Sequence, residues 1–342
     1  MYLSRILPAL ALAMCVAASP AKSSTSQPRA LVYRGQSACK GCSEAVARLL
    51  EKSPQNFAVT YVGRDEDDQI SAELLSQAAV YAQPGGPDLD QAYKELQPHE
   101  AQLRTFVKNG GRYLGFCLGA FLAGSTPGFR LLPPGANATP ERKAPDAQVT
   151  GQEDTMIQVD WTFRRSSPRG ASTSQNGDSG TGAGETAARR WLYFQDGAVI
   201  TGLPRDDENT TVLGRYSSNG NVAASLTALG SGIVALVGPH PEATPDWYRA
   251  YRLENPDGIH YDIGFDFINA AMDAAPLPAG TDTGTGTGTS TGSTSTPGAA
   301  KPTSSSDESS WNASGKRRGR MTLQNPIGLA IQTLRSLWGD IF

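Results

Sequence analysis

The chain has 342 residues, with 30 Lys and Arg against 33 Asp and Glu and a formal net charge of -3. It has no acidic block and one short basic cluster, Lys316-Arg317-Arg318, so it lacks the electrostatic footprint of a nucleic-acid-binding protein. Aromatic and aliphatic residues concentrate between about residues 29 and 274, enough chain for one sheet core, and the two ends differ in composition.

Residues 1–21 read as a secretory signal. Arg5 precedes an apolar run over residues 6–18 that is too short to span a bilayer, and Val16-Ala17-Ala18-Ser19 supplies small residues for cleavage. Cys15 invites comparison with a bacterial lipid-attachment cysteine, but Met14 stands where such a site wants a small residue. A secreted protein is expected. Asn209-Thr210-Thr211 and Asn312-Ala313-Ser314 fit export as N-glycan acceptors at Asn209 and Asn312, and Asn137-Ala138-Thr139 is weakened by Pro140.

From residue 29 onward the pattern alternates. Residues 30–33 predict a strand ending at Gly35, 43–50 a helix with Val46, Leu49 and Leu50 on one face, and 57–62 a second strand. A short helix over 74–79 runs into a third strand at Val80-Tyr81, which stops at Gln83-Pro84-Gly85-Gly86-Pro87. Residues 100–107 are helical, with Asn109-Gly110-Gly111 as their stop signal, 113–116 form a fourth strand, and 117–123 open the next helix. This rhythm predicts an α/β fold with a parallel sheet covered on both faces. Strands are expected at 156–163, 191–194, 212–216, 222–226 and 233–237, and helices at 246–252 and 263–272. Residues 165–189 read as a disordered insertion and 275–326 as a low-complexity linker. In residues 327–342, Ile327, Ile331, Leu334, Trp338 and Ile341 repeat at helical spacing, the pattern of an amphipathic helix making a weak membrane or partner contact. No later segment is apolar and long enough to cross a membrane.

The residues with the clearest chemistry are Gly115-Phe116-Cys117-Leu118-Gly119. A nucleophile between a strand and a helix sits on a strained turn, and small neighbours two residues away let the backbone pass close by. The helix N-terminus then lies beneath the sulfur and favours thiolate, and the Leu118 N–H can face an oxyanion. A buried structural cysteine is the alternative on spacing alone. The base must be a histidine, and only three exist. His99 opens a polar helix as a surface cap, and His260 lies in a late loop. His240 follows the apolar strand 233–237, on the sheet edge expected for Cys117, with Glu242 two residues on to orient it.

Cys117 in GFCLG, with His240 and Glu242 in HPE, resembles the Cys-His-Glu triad of class I glutamine amidotransferase domains, whose flavodoxin-like fold the chain is then expected to share. Gln83-Pro84-Gly85-Gly86 resembles that family's oxyanion loop, which gives the role to Gly86, with Gly85 as the alternative. YAQPGGPDLD, GGRYLGFCLGAFLAG, Trp161, Asp196-Gly197-Ala198 and GIVALVGPHPEATPDWY are together similar to the N-terminal domain of eukaryotic biotin–protein ligases, of which secreted stand-alone fungal versions exist. No segment resembles the ligase's own catalytic and biotin-binding domains, so biotinylation is not implied. Glutamine-hydrolysing members carry a Gln two residues after the second elbow glycine, where this chain has Phe121. The resemblance therefore implies a cysteine-dependent amidohydrolase acting on a small-molecule or peptide amide, or on a γ-glutamyl bond, without cofactor or metal. A binding or regulatory module that keeps the geometry without turnover is the second reading. Cys39-Lys40-Gly41-Cys42 follows the first strand and reads as a local disulfide, with redox catalysis and thiol exchange with Cys117 as further readings.

Overall fold

The computed structural model describes residues 27–125, 127–164, 186–204 and 207–275. The expected signal segment, most of the expected insertion, Asn312 and the expected amphipathic stretch lie outside them. In chain order the first half contains β1 (Arg29–Tyr33), α1 (Cys42–Lys52), β2 (Ala58–Val62), α2 (Ala72–Ser76), β3 (Val80–Gln83), α3 (Leu89–Leu96), α4 (Glu100–Lys108), β4 (Arg112–Phe116) and α5 (Leu118–Leu122). The second half contains β5 (Asn137–Pro140), β6 (Thr155–Phe163), β7 (Thr186–Phe194), β8 (Ala198–Thr201), β9 (Thr210–Tyr216), β10 (Val222–Leu229), β11 (Gly232–Val237), α6 (Pro245–Ala250) and α7 (Asp262–Asp273).

One mixed sheet runs in the order β2-β1-β3-β4-β11-β10-β9-β6-β7. Its first five strands are parallel and follow the doubly wound, flavodoxin-like order, with β11 as the fifth. The remaining strands extend the sheet antiparallel, and β5 joins through β8, which pairs with β10. Alternating residues feed two cores. Ala30, Val32, Phe116 and Val237 face the α1–α7 side with Phe267, while Leu31, Tyr33, Tyr113 and Leu236 face the α2–α5 side with Phe129. Burial on both faces explains why β1, β4 and β11 read as nearly continuous apolar runs.

Three sequence expectations are corrected. Helix α3 is absent from the sequence reading because only Ala92 and Leu96 are buried on it; its signal is Asp88, whose carboxylate accepts from the Gln91 N–H as an N-cap. The insertion ends earlier than residue 189, because Thr186–Arg189 already belong to β7 and pair with Phe163–Asp160. Arg189 forms an ion pair with Asp160 at 2.7 Å, so its polar composition reflects an exposed strand face. His99 does not cap α4 through its side chain, and its Nδ1 is buried without a hydrogen-bond partner. Strands β5 and β8 are four residues each, too short for an alternation signal.

The topology has a chemical consequence. Strands β1, β3, β4 and β11 are successive neighbours and parallel, so the loops that follow them emerge at one carboxyl edge. Those four loops carry Cys39, Gly85 with Gly86, Cys117, and His240 with Glu242.

Candidate active site

Cys117 sits between β4 and α5 with φ 49 and ψ -103, the strained turn expected of a nucleophile elbow. Both flanking glycines are required by close approach. A Cβ on Gly115 would stand 2.5 Å from the Gly119 carbonyl oxygen, and one on Gly119 would stand 3.0 Å from the Gln83 Cβ. The Cys117 N–H donates to the Val237 carbonyl at 2.9 Å, which ties the elbow to the end of β11. The residue is 7 % exposed, and its thiol faces the Gln195 carbonyl at 3.6 Å. Helix α5 has five residues, so its dipole is a weaker support for thiolate than the sequence alone suggests.

The stronger support is His240, which is buried and near enough to Cys117 for the sulfur's charge to act on its imidazole. Its Nδ1 lies 2.8 Å from Glu242 Oε1, which fixes the orientation of the ring. Burial alone would disfavour the imidazolium. The negative charges of Glu242 and Cys117 and their hydrogen bonds outweigh it, and the His240 pKa is pushed up from 6.5 to about 10. Glu242 is fully buried, and its second oxygen has no hydrogen-bond partner among the described residues, so its charge is directed at the imidazole. This arrangement can hold a thiolate beside an imidazolium and pass a proton between sulfur, leaving group and water.

The Gly85-Gly86 loop packs against the elbow and His240. A Cβ on Gly86 would meet the Ser37 carbonyl oxygen at 2.5 Å and the Leu118 side chain, so Gly86 and Leu118 are neighbours, as two oxyanion donors must be. A Cβ on Gly85 would lie 2.8 Å from His240 Cε1, 3.7 Å from Cys117 Cβ and 3.6 Å from Cys42 Sγ. The Cys39–Cys42 pair forms a disulfide with a Cα–Cα distance of 5.3 Å, and the Cys39 N–H donates to the Gly85 carbonyl at 2.9 Å. The disulfide turn therefore braces the glycine loop from behind.

Sequence reasoning missed the supports of His240. The His240 N–H donates to the Tyr193 carbonyl at 2.9 Å in an isolated bridge between the two residues. The Tyr193 and Trp247 rings stand edge-on to the imidazole at 6.0 and 5.3 Å and pack on each other at 5.3 Å. Tyr251, also against Tyr193, is 53 % exposed. Trp247 lies within the quoted GIVALVGPHPEATPDWY segment and was legible there; Tyr193 and Gln195 reach the site through pairing distant in sequence. Other expected residues lie elsewhere. His260 is exposed, with Nε2 against the Asp257 carbonyl. Asn209 is exposed and its amide donates to Asp207. Asn137 is committed internally, accepting from the Ser125 N–H.

A protein described as biotin–protein ligase from Schizosaccharomyces pombe is 24 % identical over 216 residues, which cover 62 % of this chain and 33 % of the relative; the chain thus spans about a third of that protein's length. Among solved structures, one described as a GMP synthase component from Thermoplasma acidophilum is 13 % identical, covers 72 % of this chain and 94 % of its own, and gives a TM-score of 0.41. A beta-galactosidase from Bacillus circulans sp. alkalophilus is 14 % identical, covers 62 % and 28 %, and gives 0.35. The family model "Biotin-protein ligase, N terminal" matches residues 29–260, and the chain belongs to that family.

Proposed function

We propose that the protein is a secreted, cysteine-dependent amidohydrolase in which Cys117, His240 and Glu242 act as nucleophile, acid–base and orienter. The observation that carries this reading is the buried imidazole between Cys117 and Glu242, pushed up to about 10 by their charges. At neutral pH it is an imidazolium beside Cys117, the arrangement that supports a thiolate as the attacking species. The thiolate attacks the amide carbonyl, and the N–H groups of Gly86 and Leu118 receive the oxyanion. His240 then gives its proton to the leaving amine and the thioester forms. Neutral His240 next takes a proton from water, which attacks the thioester and releases the acid.

Phe121 stands where glutamine-hydrolysing relatives of this fold place a substrate-binding glutamine, which favours an amide or γ-glutamyl bond other than that of free glutamine. The Cys39–Cys42 disulfide and the signal-like residues 1–21 support export. Ligation of biotin is not proposed, since the match covers a third of the ligase relative.

The test is a hydrolysis screen over glutamine, γ-glutamyl peptides and simple amides, combined with an amide-mimicking, thiol-directed probe. Turnover of one class, with probe attached at Cys117 and both lost in Cys117→Ser, is expected. Absence of turnover together with equal probe reaction in His240→Ala would leave a binding module that keeps the geometry.

A further inference from the structure

Three sulfur atoms share the carboxyl edge of the sheet, and the proposed hydrolysis uses one. Cys42 is buried at the start of α1, while its disulfide partner Cys39 is half-buried in the preceding turn. Cys42 Sγ and Cys117 Cβ both border the methyl-sized space above Gly85, at 3.6 and 3.7 Å from the position a Cβ would take there. Because residue 85 is glycine, no side chain separates the disulfide from the nucleophile. His240 Cε1 borders the same space at 2.8 Å, so the imidazolium that favours thiolate is also present.

We propose that Cys42 is a second covalent partner of Cys117, through thiol–disulfide exchange with the Cys39–Cys42 bond. The Cys117 thiolate attacks Cys42 Sγ, a Cys117–Cys42 bond forms, and the Cys39–Cys42 bond breaks with its electron pair leaving on Cys39. The Cys39 thiolate takes up a proton from solvent, which its position in the turn allows. The number of disulfides is unchanged, and no external oxidant is needed. A disulfide requires β-carbons about 3.5–4.5 Å apart, the separation that Cys42 and Cys117 take in the exchanged form. The exchange caps the nucleophile, frees the brace behind Gly85 and reverses when Cys39 attacks Cys42 again. Cys117 thereby passes between free and masked forms through an internal equilibrium that conserves the number of disulfides. The inference rests on the positions of Cys42 Sγ and Cys117 Cβ about Gly85 and not on amide turnover, and its readout is thiol connectivity.

The wild-type protein has one free thiol among its described cysteines, so the site of alkylation reports the exchange directly. Full-length protein is held between pH 6 and 9, pulsed with iodoacetamide, acid-quenched and peptide-mapped without reduction, with label scored only at Cys39, Cys42 and Cys117. Label on Cys39, accompanied by a Cys42–Cys117 peptide, is expected, with Cys117 carrying the rest. In Cys39→Ser the competing bond is removed, and oxidised glutathione should convert most of the protein to the Cys42–Cys117 form. Circular dichroism establishes that this variant is folded. Label confined to Cys117 in wild type at every pH overturns the proposal, as does a folded Cys39→Ser protein in which Cys42 and Cys117 stay unlinked.

Discussion

Cys117 occupies a backbone conformation that costs on the order of 1–3 kcal/mol. Its neighbours hold it there: Gly115 and Gly119 leave no room for a methyl group, and the Cys117 N–H is anchored on Val237. Gly119→Ala should therefore lower stability by about 1–3 kcal/mol through overpacking against Gln83, and reduce probe reaction at Cys117 as the elbow shifts. Urea unfolding and probe labelling measure the two effects. Unchanged stability would mean the elbow has slack that the close contacts deny. At His240 the argument concerns charge. After burial, which opposes the imidazolium, the charge of Glu242 is the leading influence and raises the pKa. Glu242→Gln keeps the shape of the orienter and removes that charge. The proton on His240 is then lost at lower pH, and the alkaline fall in activity moves down from about 10. A reduction in kcat on the order of 10²-fold or more accompanies it. An unmoved alkaline limb would show that Glu242 does not set the protonation of the imidazole.

At the scale of elements, the turn from β1 into α1 connects a disulfide to the glycine loop. The ring closed by cysteines three positions apart is small, so its chain-entropy contribution is only about 2 kcal/mol. Its contact with Gly85 is more specific, since the Cys39 N–H holds the Gly85 carbonyl. The double variant Cys39→Ser/Cys42→Ser should lose at most about 2 kcal/mol in urea unfolding while losing a larger share of turnover. Equal activity with reduced stability would make the disulfide a structural staple and nothing more. Trp161 gives a comparable case far from the site. Its indole N–H donates at 2.9 Å to Asp266, joining β6 to α7. Asp266 is buried, and desolvation, only partly offset by the Trp161 and Arg164 N–H groups, raises its pKa. Trp161→Phe should cost about 1–3 kcal/mol by removing one of those donors. A midpoint of urea unfolding within experimental scatter of wild type would assign the joint to packing alone.

Across the whole molecule, what was legible in sequence and what was not divide along a physical line. Strands β1, β4 and β11 are buried on both faces and announce themselves as apolar runs, so the edge carrying Cys117 and His240 was readable from order and composition. The antiparallel extension was legible only in part: strands at 156–163, 191–194, 212–216 and 222–226 were expected, but β8 and the start of β7 acquire their identity from partners far away in the chain, and Tyr193 reaches His240 only through such pairing. The local Cys39–Cys42 spacing was visible, whereas its contact with Gly85 arises from the adjacency of β1 and β3. The buried triad also links site and fold thermodynamically. His240 titrates near 6.5 when exposed in the unfolded chain and near 10 when folded. A group raised in this way binds its proton more tightly in the native state, so its stabilising contribution is complete below pH 6.5. It declines as pH rises and is gone once pH passes about 10. The stability difference between wild type and His240→Gln, followed by urea unfolding from about pH 6 to about pH 10.5, should shrink along that window. In Cys117→Ser the sulfur no longer raises the imidazole, so the decline, still starting near 6.5, should be complete at lower pH. A difference that stays constant across the whole range would mean that the imidazole is neutral in the folded protein, and Cys117 would then need a proton removed before it could attack.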